Sequence, residues 1–224
     1  MGSGKGIEST AHETDTAAGE FETDKPLSSL LSTTRDVLFS PQRFFDELPP
    51  DGPLRAPVLY FLICSAITAV ISVLASLTFL AVPLGVSLAT GSLDAGVLLR
   101  VLAISVFASL VVLPVLFVAG FFVSVPIQHA FILLVAGHDQ KGLPATLRVS
   151  CYSVGAPVAV AWIPLAGILA VFYCFYLHAI GLKRVHKIST GRSLTAILIL
   201  ATFLLTLVTV VAVYDYALIQ EVMK

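Results

Sequence analysis

Hydrophobic positions in this chain gather into long unbroken runs, not into the alternation of a strand or the single stripe of a water-soluble helix. The first 26 residues are the exception. They set Glu8, Glu13, Asp15, Glu20, Glu22 and Asp24 against Lys5 and Lys25. With so little apolar surface to offset the entropy of ordering, they are expected to form a disordered acidic tail. Between residues 27 and 56 the pattern turns amphipathic: Leu27, Leu30, Leu31, Val37, Leu38, Phe44, Phe45 and Leu48 are interleaved with Arg35, Asp36, Arg43, Asp46 and Glu47. Pro41 divides this stretch into two short helices, with Ser40 in the position of a cap for the second. Amphipathic helices beside a membrane span lie on its surface with aromatic side chains inward; a groove on a partner protein is the other setting that suits the pattern.

Residues 57–213 read as a transmembrane domain. The run 57–82 exceeds the ~20 residues that cross a bilayer core. Its Ser65, Ala69, Ser72 and Ser76 recur at helical spacing as a small-residue packing face. A glycine-containing loop is expected over 83–99. As a straight helix the run 101–135 would measure roughly 50 Å, against a core of about 30 Å. Pro114, Gly120 and Pro126 are therefore expected either to bend one long crossing or to divide it into two. A polar loop follows, with Pro144 placed to start the next helix. The segments 145–163 and 165–182 form a hairpin around Ile163-Pro164-Leu165-Ala166-Gly167. Each arm is at or below spanning length, so the hairpin either crosses fully or dips in and returns. The last span is 193–213, with Thr202, Thr206 and Thr209 as a mildly polar stripe. A short tail, 214–224, places Tyr214 and Tyr216 at the interface.

Composition agrees with this pattern. The chain is 57% hydrophobic and 12% charged, with a mean hydropathy of +0.96, whereas roughly a quarter of a soluble domain is charged. The expected fold is all-α: a polytopic transmembrane helical bundle of about five membrane segments, preceded by surface helices. A net charge of −1 lacks the basic face that a nucleic-acid partner requires. The first apolar run begins too late for a cleavable signal peptide, and none is expected. Cys64, Cys151 and Cys174 lie in apolar runs without paired spacing and read as buried free thiols.

Charge sets the expected sidedness. Lys183, Arg184, Lys187 and Arg192 form a dense basic stretch, and short basic loops stay cytoplasmic. A hairpin returns to the side it left, which places the 137–148 loop, with Lys141 and Arg148, on the same side. A single crossing by 101–135 adds Lys25, Arg35, Arg43 and Arg55, whereas a double crossing would separate them. The N-terminus is therefore expected in the cytoplasm and the tail 214–224 outside. The same four basic residues are candidates for attracting anionic headgroups, at roughly 1 kcal/mol each near the surface.

Polar groups inside membrane segments are functional candidates by default. Here they are Gln128, His129, His178, Tyr152, Tyr173 and Tyr176. Between Asp51 and Asp215 the only carboxylates are Asp94 and Asp139, both in expected loops. That spacing leaves an aspartyl protease or an acid-coupled transporter without its carboxylates. No HExxH and no Gly-x-Ser-x-Gly elbow is present. His129 and His178 are able to meet across helices, where they would share a metal or relay a proton; the alternative is that each ring satisfies a backbone carbonyl or a Tyr hydroxyl. No catalytic residue, metal site or cofactor is expected.

Ser40-Pro41-Gln42-Arg43-Phe44-Phe45 ahead of a first span resembles the lead-in of prokaryotic Yip1-domain proteins. His129 ahead of Gly137, Cys151-Tyr152-Ser153 with Ala156-Pro157, Ile163-Pro164 with Gly167, and Gly181-Leu182 are similar to that family's core pattern. The resemblance covers roughly residues 39–212. At Gly137-His138-Asp139 the chain departs from the family's Gly-Gly pair. The resemblance implies a five-helix integral membrane protein with a cytoplasmic N-terminus, here of a prokaryotic cytoplasmic membrane, and it carries no catalytic residues. It implies a non-enzymatic scaffold or adaptor whose partners are the lipid bilayer and other membrane proteins or further copies of itself. Pro157, Pro164, Gly167 and Gly181 join the polar residues as candidate interaction positions. A small oligomeric channel or passive transporter, with Pro157 and Pro164 breaking helices around a path, is the alternative.

Overall fold

The computed structural model describes residues 20–91, 95–137, 140–161 and 163–202, and all regular structure among them is helical. Two short helices, α1 (Pro26–Phe39) and α2 (Pro41–Glu47), precede the long α3 (Arg55–Ala89). Then come α4 (Ala95–Phe107), a π-helical turn (Ala108–Val112), α5 (Leu113–Ala136), α6 (Leu143–Val158) and α7 (Pro164–Val185). A final helix, α8, is described over Thr190–Thr202. By length and composition, three stretches are able to cross a membrane: Arg55–Leu74, Leu102–Ala136 and Gly167–Val185. α6 has only 16 residues, and α8 is likewise short and apolar within its described part.

Several boundaries differ from expectation. α3 passes through Pro83 and Gly85 and stops at Gly91, whose φ of +62° suits glycine. The expected 83–99 loop therefore shrinks to a few residues. An apolar surrounding offers no water to freed backbone groups, which favours keeping the helix wound past a single proline. In the run 101–135, Gly120 and Pro126 lie inside α5 without ending it. The interruption comes instead at the π-helical turn just ahead of Pro114, where the wider winding accommodates a ring that lacks an N–H. Ser40 occupies the N-cap position of α2 but makes no side-chain cap bond; its N–H closes α1 by donating to the Asp36 carbonyl at 2.9 Å. Residues 1–19 and 203–224 lie outside the described residues, and with them most of the expected acidic tail, Thr206, Thr209, Tyr214 and Tyr216.

Close approach of the helices rests on small residues. A Cβ on Gly155 of α6 would stand 2.9 Å from the Tyr60 ring and 3.4 Å from the Phe61 backbone, so only glycine lets α3 and α6 meet there. Gly181 of α7 sits against Val149 and Phe45 in the same way, and Gly167 faces the Ala161 carbonyl. Thr68 donates to the Val158 carbonyl at 2.7 Å, which occupies an acceptor at the end of α6. Phe61 stacks on Phe121 at 3.9 Å between ring centroids and anchors α5 to α3.

α1 and α2 cap one end of this bundle. Phe44 and Phe45 do not face lipid, as the amphipathic pattern suggested, but are buried in protein, with Phe44 edge-on to Tyr152 at 4.9 Å. Leu27, Leu31 and Phe39 form the exposed apolar face instead, at 74–81% exposure. Tyr173 donates to the Leu38 carbonyl, and Thr34 hydrogen-bonds the Tyr60 hydroxyl at 2.8 Å.

Candidate functional site

Two polar clusters lie where α5, α6 and α7 converge, below the cap formed by α1 and α2. In the first, the Ser150 hydroxyl stands 3.2 Å from Gln128 Oε1 and 3.3 Å from His178 Nε2, and His178 Nε2 is 3.0 Å from Gln128 Oε1. With the Gln128 carbonyl accepting, His178 carries its proton on Nε2. In the second, the Thr146 hydroxyl lies between two rings, 2.8 Å from His129 Nδ1 and 3.1 Å from His186 Nε2. A hydroxyl has one proton, so one neutral imidazole accepts it while the other presents its own N–H. The tautomers of His129 and His186 are thus coupled through Thr146. Thr146 and Ser150 are one helical turn apart, and Ser150 also donates to the Thr146 carbonyl at 2.8 Å, which joins the clusters.

His129 and His178 therefore do not pair with each other, and their partners are not a backbone carbonyl or a Tyr hydroxyl. Each takes a hydroxyl of α6, and the second ring at Thr146 is His186, which lies among the basic residues that follow α7. Burial pushes the His186 ring down to about 4, helped by the neighbouring His129 and opposed by the Lys141 carbonyl. Among the described residues no group of three or more His, Cys, Asp or Glu is arranged to hold a metal ion.

A third cluster contains the one fully buried basic residue among those described. Arg148, read as a loop charge, lies in α6 with no exposed surface. Its Nη2 meets Glu20 Oε1 at 2.5 Å, and its Nη1 donates to the Pro53 carbonyl at 2.6 Å. The Tyr152 hydroxyl donates to the same Glu20 oxygen at 3.2 Å. Phe21 is buried beside it and tilts against Tyr60 at 5.9 Å. Glu20 and Phe21, expected to belong to a disordered tail over 1–26, are instead held against the bundle, Glu20 as a counter-charge and Phe21 as an aromatic anchor. Burial pushes the Glu20 carboxyl above its usual range, while Arg148 and the Tyr152 hydroxyl pull it back.

The other candidate positions separate. Lys183 and Arg184 belong to the last turn of α7, where positive charge opposes the negative end of the helix dipole. Arg184 binds Asp46 through two contacts of 2.9 and 3.1 Å and Gln42 at 3.2 Å, so it pins α2 to α7. Lys187, in left-handed backbone with φ 55°, and Arg192 are exposed. Pro157 lies in the last turn of α6, and Pro164 opens α7. Among the described residues, one cavity of about 310 Å³ lies between α3, the π-helical turn, α5 and α6 and includes Ser65, Thr68, Ser72 and Pro114, and another of about 470 Å³ includes Leu38, Pro157, Tyr173 and Tyr176. Neither is lined by Gln128, His129, Thr146, Ser150, His178 or His186.

The contacts Arg148–Glu20, Thr146–His186 and Arg184–Asp46 bring the N-terminal region, the start of α6 and the end of α7 to one end of the bundle. That is the grouping which the distribution of Lys and Arg demanded. The Yip1-domain model matches residues 35–213 of the 224. The chain belongs to the Yip1-domain family. No curated protein and no solved structure matches it. As a Yip1-domain protein with three helices long and apolar enough to cross a membrane, it is a membrane protein, and the Yip1 domain takes in the last turn of α1 and all of α2 to α8 as described.

Proposed function

We propose that this Yip1-domain protein is a non-enzymatic, multi-pass membrane scaffold or adaptor that recruits partner proteins at a cytoplasmic face. The observation that carries this reading is the capped end of the bundle. There α1 and α2 are fixed to α3, α6 and α7 by Phe44, Phe45, the Arg184–Asp46 pair and the Arg148–Glu20 pair, while Leu27, Leu31 and Phe39 stay exposed. A rigidly held surface with an uncovered apolar stripe suits recognition. The buried polar groups bond to one another and open onto neither cavity, which suits a packing role more than turnover or passage. The basic residues gathered at this end support a cytoplasmic side for it, in a prokaryotic membrane, because short basic segments stay cytoplasmic.

One observation favours the second reading, a small oligomeric channel or passive transporter: the cavity beside the π-helical turn is partly lined by the hydroxyls of Ser65, Thr68, Ser72 and Ser109. Reconstitution into liposomes separates the two. Silence toward ions and small solutes, together with membrane proteins that co-purify from native membranes, is the result expected of a scaffold. Saturable flux that scales with the protein would overturn it.

A further inference from the structure

The cleft that holds Glu20 and Phe21 is built from the bundle, and its occupant is not. Its floor is Arg148 and Tyr152 of α6, with Tyr60 of α3 packed against Tyr152 at 5.1 Å. Its wall is the turn before α3, where the backbone of Gly52 lies flat over the guanidinium: a Cβ there would stand 2.7 Å from Nη1. The occupant comes from 128 residues away in sequence, ahead of α1. Within the segment it is steadied by a 2.6 Å bond from the Glu22 N–H to the Ser29 hydroxyl.

A buried ion pair is a weak source of stability compared with apolar residues of the same volume, but it discriminates sharply, because a guanidinium without its carboxylate is left unpaired. The cleft therefore reads two features in order, a carboxylate and then a phenyl ring. We propose that it is a docking site for acidic–aromatic peptide segments, with the chain's own Glu20-Phe21 as the resident occupant and a partner protein's Glu-Phe or Asp-Phe segment as the incoming one. Burial works against the Glu20 charge, which favours an occupant that exchanges. This deepens the adaptor reading and rests on it for its consequence in the cell.

The probe is a fluorescent acetylated peptide copying residues 20–25, with binding read by polarisation on the full chain in detergent micelles. The chain carrying Glu20→Ala and Phe21→Ala is expected to bind it saturably, at least tenfold more tightly than the wild-type chain, whose own segment competes. Changing the peptide's first Glu, the copy of Glu20, to Gln, or its Phe to Ala, is expected to weaken binding at least tenfold with the protein unaltered. Thermal unfolding reports whether the double variant folds, and the peptide is expected to raise its midpoint. No binding to the folded variant, equal binding of the Gln peptide, or a variant that stays unfolded at saturating peptide overturns the proposal. So does occupancy by inorganic phosphate or by anionic vesicles but not by peptide. Liposome flux bears on the adaptor reading alone, and this binding measurement bears on the cleft alone.

Discussion

Gly181→Ala turns helix packing into a question of sign. On a helix face with free space, alanine in place of an interior glycine stabilises by about 1 kcal/mol. At position 181 the new methyl would lie 2.5 Å from Val149 Cγ1 and 3.1 Å from the Phe45 ring, where carbon atoms prefer about 3.5–4 Å. Neither neighbour yields easily. Val149 is β-branched and held to one rotamer in its helix, and both it and Phe45 are buried. Overpacking of this kind costs about 1–3 kcal/mol, so the net effect is a loss of up to about 2 kcal/mol. Val149→Ala alone should cost about 1.6 kcal/mol for two lost methyl groups. Combined, the two substitutions should be at least about 1 kcal/mol less damaging than their sum, because the second makes room for the first. Reversible unfolding in mixed detergent micelles measures all three variants. A Gly181→Ala chain more stable than wild type, or additive effects in the double variant, would refute the close contact of α7 with α6 and α2.

Three more outcomes follow from the polar contacts. Thr146→Val removes the hydroxyl that serves both His129 and His186, and should cost about 1–3 kcal/mol for the unpaired ring nitrogens; nitrogen NMR of labelled histidine should show both tautomer populations change together. The folded-state value of His186 is lowered to about 4 from 6.5, so between those values the unfolded chain binds the extra proton. This group should then leave stability unchanged above about pH 6.5 and lower it on acidification toward 4, by about 3 kcal/mol for a shift of this size. The difference between the unfolding profiles of wild type and His186→Gln against pH isolates that contribution. Arg184→Ala breaks partly exposed contacts to Asp46 and Gln42, which limits the stability loss to under about 1 kcal/mol; hydrogen exchange should nevertheless rise in α2 more than in α3.

The long elements were legible because lipid-facing helices need continuous apolar runs, and the hairpin showed itself in Ile163-Pro164 and Gly167. The boundary at Pro83 was misread because proline interrupts a helix reliably only where water takes up the freed backbone groups. The polar clusters were half visible. Gln128, His129 and His178 stood out against an apolar background, but Thr146 and Ser150 look like ordinary small helix residues, and their i, i+4 spacing was the available sign of a shared face. His186 was hidden among basic neighbours, so its charge class masked its role as a hydrogen-bond partner. Arg148 was counted toward sidedness alone, and nothing local pointed to Glu20, because the pair closes over 128 residues. The aromatic positions 44 and 45 were expected to point into the membrane; that they turn onto α6 and α7 depends on Gly181, which leaves the space for Phe45.

The adaptor reading turns on what meets the exposed stripe of α1. A photo-crosslinking amino acid at position 31, where Leu31 is 74% exposed, can be activated in living cells and its adducts identified by mass spectrometry. A probe at position 134, where Leu134 is 76% exposed on the apolar α5, serves as the reference for lipid contact. Discrete protein adducts that recur at position 31 and are absent at position 134 are predicted. Adducts to lipid alone at both positions would contradict a partner-recruiting surface.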